Sequence, residues 1–201
     1  QDVREYFEGL NLGSSSSQSE APIQHTHFDT LLSNHDFVNA ARDHARSLGY
    51  HVIIDNTCDD WDYRAASEYL LKRFHDLRRE FPRLCLLSSG EVTVKLEGVT
   101  GCGGRNQHFA LATSFELAKN PSENIAVLSA GSDGIDGNSS AAGAIADPTT
   151  VLRARAYGFD PESTLTRFDA CTLFTALGDT IVTGPTGNNL RDLRILLSSR
   201  S

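Results

Sequence analysis

The run Ile125-Ala126-Val127-Leu128-Ser129-Ala130 constrains the fold of this chain most strongly. It is apolar on both the odd and the even positions, apart from one serine. As a strand it therefore offers no face to water and needs cover on both sides. Segments of helical period surround it. Phe37, Ala40, Ala41, Ala45 and Leu48 fall on one face of a segment over about residues 36–48, which Gly49 stops. Ala66, Tyr69, Leu70, Phe74 and Leu77 do the same in a longer segment, capped by Asp59 or Asp60 and ended by Phe81-Pro82. A third helix is predicted over about 106–119, and short ones near 141–146, 148–157 and 173–176. Residues 28–32, 50–54, 83–87, 92–96 and 191–197 read as strands. This alternation predicts a layered α/β domain with a largely parallel sheet and helices on both faces.

Residues 1–27 differ from the rest. A short helical stretch over residues 4–10 leads into Gly13-Ser14-Ser15-Ser16-Ser17-Gln18-Ser19, a composition of flexible linkers. The expected organisation is an extension over 1–27 and one α/β domain over 28–201. A chain of 201 residues with 39% hydrophobic and 22% charged residues can bury a single good core. No run reaches the roughly 20 apolar residues of a membrane span, and nothing at the start reads as a signal peptide. The chain has no methionine, which is expected of a fragment or a processed product.

A net charge of −8 argues against nucleic acid and anionic membranes as partners. The cysteines Cys58, Cys85, Cys102 and Cys171 are widely spaced, with no Cys-x-x-Cys pair, and point to a reducing cytoplasm. His25-Thr26-His27 lacks a nearby third ligand and reads as a solvated strand edge rather than a metal site.

Four polar loops follow strands or precede helices, where ligands gather in such folds. Ser88-Ser89-Gly90-Glu91 follows the third strand. Gly101-Cys102-Gly103-Gly104-Arg105-Asn106-Gln107 opens a helix, where unpaired N–H groups suit an anion and Arg105 adds a planar cationic fork. His108 is expected on the exposed first turn of that helix. Gly131-Ser132-Asp133-Gly134-Ile135-Asp136-Gly137-Asn138 follows the central apolar strand, and its aspartates Asp133 and Asp136 can aim hard oxygens at one magnesium ion. Thr183-Gly184-Pro185-Thr186-Gly187-Asn188 offers hydroxyls and amides to a polyol or a phosphate oxygen. For each loop the alternative is a plain turn capped by its own polar residues. No loop carries the lysine and spacing of a nucleoside-triphosphate P-loop, and no Gly-x-Gly-x-x-Gly follows a strand with an acidic residue about 20 further on.

Taken in order, these segments resemble the C-terminal part of the glycerate 2-kinase family, whose members often carry a hydroxypyruvate reductase label. The resemblance is densest in Ser88–Glu91, Gly103–Gln107, Ser129–Gly137, Ala141–Ala144 and Thr183–Asn188. It implies a cytoplasmic two-domain enzyme that transfers the γ-phosphate of ATP to the 2-hydroxyl of D-glycerate, with magnesium, in an interdomain cleft. The N-terminal, lysine-bearing nucleotide domain has no counterpart here, and a second copy of the chain is a further candidate partner. Arg105 matches the arginine that acts at the transferring phosphoryl group. Ser89, Gly90, Glu91, Gly103, Gly104, Asn106, Gln107, Thr186, Gly187 and Asn188 are implied contacts to substrate or phosphate, and Asp133 and Asp136 to the metal. The chain departs from the pattern at His108, where a glutamate is usual. It also departs at Cys102, at Ser89-Gly90 and at Phe168, where an asparagine is common. Two other readings stand beside the kinase: a fragment that binds an anion or a partner without catalysis, and a nicotinamide-dependent hydroxypyruvate reductase.

Overall fold

The computed structural model describes residues 30–96, 98 and 101–199. The extension over 1–27, with its histidine pair, lies outside them, as do residues 28 and 29. The elements below all belong to the unit that starts at Leu32. In order they are α1 (Asn34–Ser47), β1 (His51–Ile54), α2 (Tyr63–Leu77), β2 (Leu84–Ser89), α3 (Arg105–Leu117), β3 (Ile125–Gly131), β4 (Gly143–Ala146), α4 (Thr150–Ala156), α5 (Pro161–Thr166), α6 (Ala170–Leu177), β5 (Thr180–Ile181) and β6 (Asp192–Ser198). No helix among the described residues is long and apolar enough to cross a membrane.

Local chemistry sets the helix boundaries. Ser33 and Asp36 form a reciprocal capping box at the start of α1, which satisfies two otherwise orphaned donors. Asp62, rather than Asp59 or Asp60, caps α2, accepting from the N–H groups of Arg64 and Ala65. It is the carboxylate one residue before the first helical turn, where a cap must stand. One face of α2 buries Ala66, Leu70 and Phe74 completely.

The sheet order is β1-β2-β6-β3-β4-β5. The expectation of a largely parallel sheet is corrected here. Only β1 and β2 pair in parallel, and the other four pairs are antiparallel. The last strand of the chain, β6, inserts between β2 and β3 and runs against both. β4 folds back on β3 across the loop that follows Gly131. Helices do cover both faces. α1 packs with Cys85, Leu87 and Leu193 on one side. The other side buries Leu84, Leu86, Ile125, Val127 and Leu196 with residues of α2 to α6.

Three local expectations also change. Residues 143–146 are a strand, not a helix, because backbone bonding to β3 outweighs the helical preference of the alanines. Residues 92–96 form no strand; Thr93 makes a single bridge to Asp62. Residues 30–32 are not a strand either.

Candidate functional site

β2 and β3 run in the same direction and end together on either side of the start of β6. Ser89 pairs with Leu193, and Gly131 pairs with Asp192. α3 begins at this same end, so the Ser89–Glu91 turn, the Gly101–Gly104 loop and the Gly131–Asn138 loop meet there. They line a cavity of about 710 Å³ whose polar wall includes Glu91, Arg105, Asp133 and Asp136.

Arg105 is the cation of this cavity. Its Nε donates to Asp192 Oδ2 at 2.6 Å and its Nη2 to Asp192 Oδ1 at 3.1 Å. Nη2 also lies 3.1 Å from Glu91 Oε1. The Asp192 side chain is 2% exposed, whereas those of Arg105 and Glu91 are 38% and 36% exposed. A buried carboxylate thus holds one edge of the guanidinium, and a rim carboxylate touches it from the open side. Nη1 has no protein partner among the described residues. The bond to Asp192, with the nearby charges of Glu91 and Asp136, holds the Arg105 pKa above its ordinary value.

The turn that supplies Glu91 is fastened from below. Ser89 Oγ and the Gly90 N–H donate to the Asp192 carbonyl, and the Glu91 N–H donates to Asp59 Oδ1. Asp59 in turn receives both terminal nitrogens of Arg191. Arg194 is fully buried and gives two bonds to the Gly90 carbonyl at 2.8 and 3.2 Å. Its burial pulls the guanidinium pKa below the ordinary value.

The first amides of α3 are occupied by the chain itself. Asp136 Oδ1 accepts from the Asn106 N–H at 3.0 Å, and Oδ2 from the Gln107 N–H at 2.8 Å. Helix N-termini favour anions, and here the anion is an aspartate. Burial pushes the Asp136 carboxyl up to about 6, against the lowering effect of these two bonds. The contact is close enough to dictate a glycine. A Cβ on Gly104 would lie 2.3 Å from Asp136 Oδ1. Gly137 is required in the same way, since its Cβ would lie 2.3 Å from the Gly103 carbonyl oxygen.

His108 is buried, not exposed as expected. Its Nδ1 faces the Gly104 carbonyl at 2.6 Å. A carbonyl only accepts, so Nδ1 carries the hydrogen and Nε2 keeps its lone pair. Nε2 is buried without a hydrogen-bond partner. The ring stands edge-on to Tyr63 and tilted against Phe168. Burial lowers its pKa, so it remains neutral.

The structure therefore brings Glu91, Gly103, Gly104, Arg105, Asp133 and Asp136 to one cavity. Asn106 and Gln107 are buried behind it. Asn106 bonds to Asp136 and Ser129, and Gln107 to Ser139. Ser89 and Gly90 support the turn beneath Glu91. Thr186, Gly187 and Asn188 are exposed and outside the cavity lining; the Thr186 N–H is tied to the Asp133 carbonyl at 3.0 Å and its hydroxyl to the Ser132 carbonyl at 2.6 Å. Asp133 and Asp136 line the same cavity, and both carboxylates accept backbone hydrogen bonds. Asp136 is committed to backbone amides, while Asp133 Oδ1 accepts from the Ile135 N–H at 3.1 Å. Among the described residues, no group of three or more His, Cys, Asp or Glu is arranged to hold a metal ion. Sequence reasoning missed Asp192, Asp59, Arg191 and Arg194. Their one visible signal was a cluster of charges, Arg191-Asp192 and Arg194, opening an otherwise apolar strand.

The chain is similar to several known proteins. A D-glycerate 2-kinase of Thermotoga maritima is 32% identical over 209 residues, covering 97% of this chain and 49% of that protein. A human glycerate kinase is 42% identical over 118 residues, 56% of this chain and 22% of its own length. An Agrobacterium vitis protein provisionally named a hydroxypyruvate reductase is 44% identical over 113 residues, 56% of this chain and 25% of that protein. The crystal structure of a Thermotoga maritima glycerate kinase superposes with a TM-score of 0.77 at 29% identity, over 97% of this chain and 49% of that one. The chain spans about half the length, or less, of these relatives. The MOFRL family pattern matches residues 84–192, more than half of the sequence and the stretch that holds the Glu91, Arg105, Asp136 and Asp192 network. With that span matched and glycerate 2-kinases among its relatives, the chain belongs to the MOFRL family.

Proposed function

We propose that this chain is the C-terminal, substrate-side domain of an ATP-dependent glycerate 2-kinase, and that Arg105 stabilises the phosphoryl group during its transfer to the 2-hydroxyl of D-glycerate. The domain would run over 28–201, with the nucleotide held by a separate N-terminal domain and the reaction taking place in the cleft between them. The observation that carries this reading is the guanidinium of Arg105, fixed by a buried carboxylate at strand ends and open to a cavity.

Phosphoryl transfer asks for positioning and for neutralisation of charge spread over equatorial oxygens, more than for covalent help. Asp192 holds Arg105 Nε, so the fork is oriented before substrate arrives. Glu91 is the exchangeable partner. An incoming carboxylate or phosphoryl oxygen replaces Glu91 at Nη2 and takes Nη1, while Asp192 keeps its bonds. Thr186, Gly187 and Asn188 lie outside the cavity lining, on a loop that the Thr186 N–H ties to Asp133, and would contact the polyol end of the acid from there. Magnesium would accompany the nucleotide phosphates. Asp133 and Asp136, on the cavity wall, are the carboxylates of this chain that would face it.

The hydroxypyruvate reductase name carried by two relatives finds little support in these residues. The Gly101–Gly104 loop does not follow a strand, since residues 92–96 form none, and a dinucleotide fingerprint needs that strand-to-helix turn.

Calorimetry tests the reading on this chain directly. D-glycerate should release binding heat that Arg105→Ala removes, while ATP gives none without the other domain. Heat with NADH but not with glycerate would overturn the proposal.

A further inference from the structure

Two thiols meet behind the glycine loop. Cys102 on the loop and Cys171 in the first turn of α6 are both free and partly accessible. The Cys171 N–H donates to the Cys102 carbonyl at 3.0 Å. With backbone bonds of about 1.5 Å on either side, a contact of that length keeps the two α-carbons within about 7 Å, the upper end of the roughly 4.4–6.8 Å that a disulfide spans. The two thiols are close enough to influence each other's ionisation, and Cys171 Sγ lies 3.8 Å from Thr175 Oγ1. The Gly103 backbone packs directly against Cys171, since a Cβ there would stand 3.2 Å from the Cys171 nitrogen and 3.6 Å from its Cβ. The remaining cysteines, Cys58 and Cys85, are sealed in the core at 1% and 0% exposure.

We propose that Cys102 and Cys171 are a modification site, which a hydroperoxide converts to an intramolecular disulfide tying the Gly101–Gly104 loop to α6. The Cys171 sulfur attacks a peroxide oxygen. The S–O bond forms, the O–O bond breaks, and water leaves (an alcohol, if the peroxide is organic), giving a sulfenic acid. The Cys102 sulfur then attacks that sulfur. The S–S bond forms, the S–O bond breaks, and the departing hydroxide takes up the Cys102 proton as water. Two electrons pass from the thiols to the peroxide. Burial, with the neighbouring Cys171 and Asp169, pushes the Cys102 thiol up to about 11. The bond fixes the loop that leads into Arg105, including Gly103 at a φ of +133°, and uses no carboxylate of the cavity.

The test is a non-reducing peptide map of the 201-residue chain after hydrogen peroxide and alkylation, with amide exchange measured on the same samples. The expected product is a monomer lighter by two hydrogens, with a Cys102–Cys171 linked peptide that a dithiol reductant releases. Exchange at the Gly103–Arg105 amides should slow at least about tenfold on oxidation. Cys102→Ser and Cys171→Ser should each abolish the mass loss, and the wild-type map stands even if a variant folds poorly. Separate alkylation of both cysteines after oxidation, a covalent dimer, or a link to Cys58 or Cys85 would each overturn the proposal. A correct link with unchanged amide exchange would remove the tether.

Discussion

Asp192→Asn is the sharpest perturbation of the site, because it keeps the side-chain shape and removes one charge. Asp192 is 1% exposed and gives Arg105 two oxygens at 2.6 and 3.1 Å. Hydrogen bonds to charged groups contribute about 1.5–3 kcal/mol each. The asparagine retains one acceptor oxygen, so one bond survives in weaker form. Its amide nitrogen, however, faces a guanidinium donor. Arg105 is more than one-third exposed, and water and Glu91 recover part of the loss, which argues against the full penalty of a broken buried pair. A net cost of about 2 kcal/mol follows from taking one such bond as lost. In a domain of this size that lowers the melting temperature by about 4–8 °C. The carbonyl of residue 192 still accepts from Ser89 and Gly90, so the turn under Glu91 stays in place. Thermal melts and calorimetry with D-glycerate measure the two consequences. Glycerate affinity should fall about tenfold, the equivalent of roughly 1.4 kcal/mol in a misaligned Arg105. An unchanged melting temperature together with unchanged affinity would refute the reasoning that Asp192 orients Arg105.

Asp136 gives a pH signature. Its folded pKa of about 6 lies above the ordinary 3.8, so the native state holds a proton that the unfolded chain has released between those values. Stability from this group is therefore lost as pH rises from about 4 to 6 and is level above that, a loss of roughly 3 kcal/mol. Asp136→Asn should remove the slope, so the variant gains on wild type as pH rises through that window; parallel melting curves at pH 4, 5 and 6.5 would contradict it. Gly104→Ala should cost at least about 2 kcal/mol in denaturant melts, because its Cβ would lie 2.3 Å from Asp136 Oδ1 and 2.4 Å from the Gly137 nitrogen. An alanine variant as stable as wild type would show that the two loops are not interlocked.

Much of the element order was legible because each helix has an apolar face and each core strand an apolar run. Strand direction was not. β6 is the last strand in sequence, and nothing within residues 192–198 records that it slots between β2 and β3. The alternation of Val92, Val94 and Leu96 has the period of a strand, yet no partner is within reach except Asp62. Residues 143–146 carry alanines that favour a helix in isolation, and only pairing with β3 makes them a strand. The site shows the same division. Glycines gathered around Arg105 marked the loop, since close backbone approach demands them. Asp192 lies far along the chain from Arg105, and its role depends on burial that only the folded sheet creates. Asp136 stood out as an acid in a glycine loop. The amides it serves, at Asn106 and Gln107, belong to the first turn of α3, and that the carboxylate caps this helix shows only in the fold.

Arg105 is proposed to work on a transferring phosphoryl group. The most direct measurement of that role is ADP formation dependent on D-glycerate, in the two-domain protein of which this chain is proposed to form the C-terminal part. The expected result is glycerate-dependent turnover that Arg105→Ala lowers by about two to three orders of magnitude, as for loss of a preorganised charge clamp. Turnover that ignores glycerate, or an Arg105→Ala protein as fast as wild type, would contradict it.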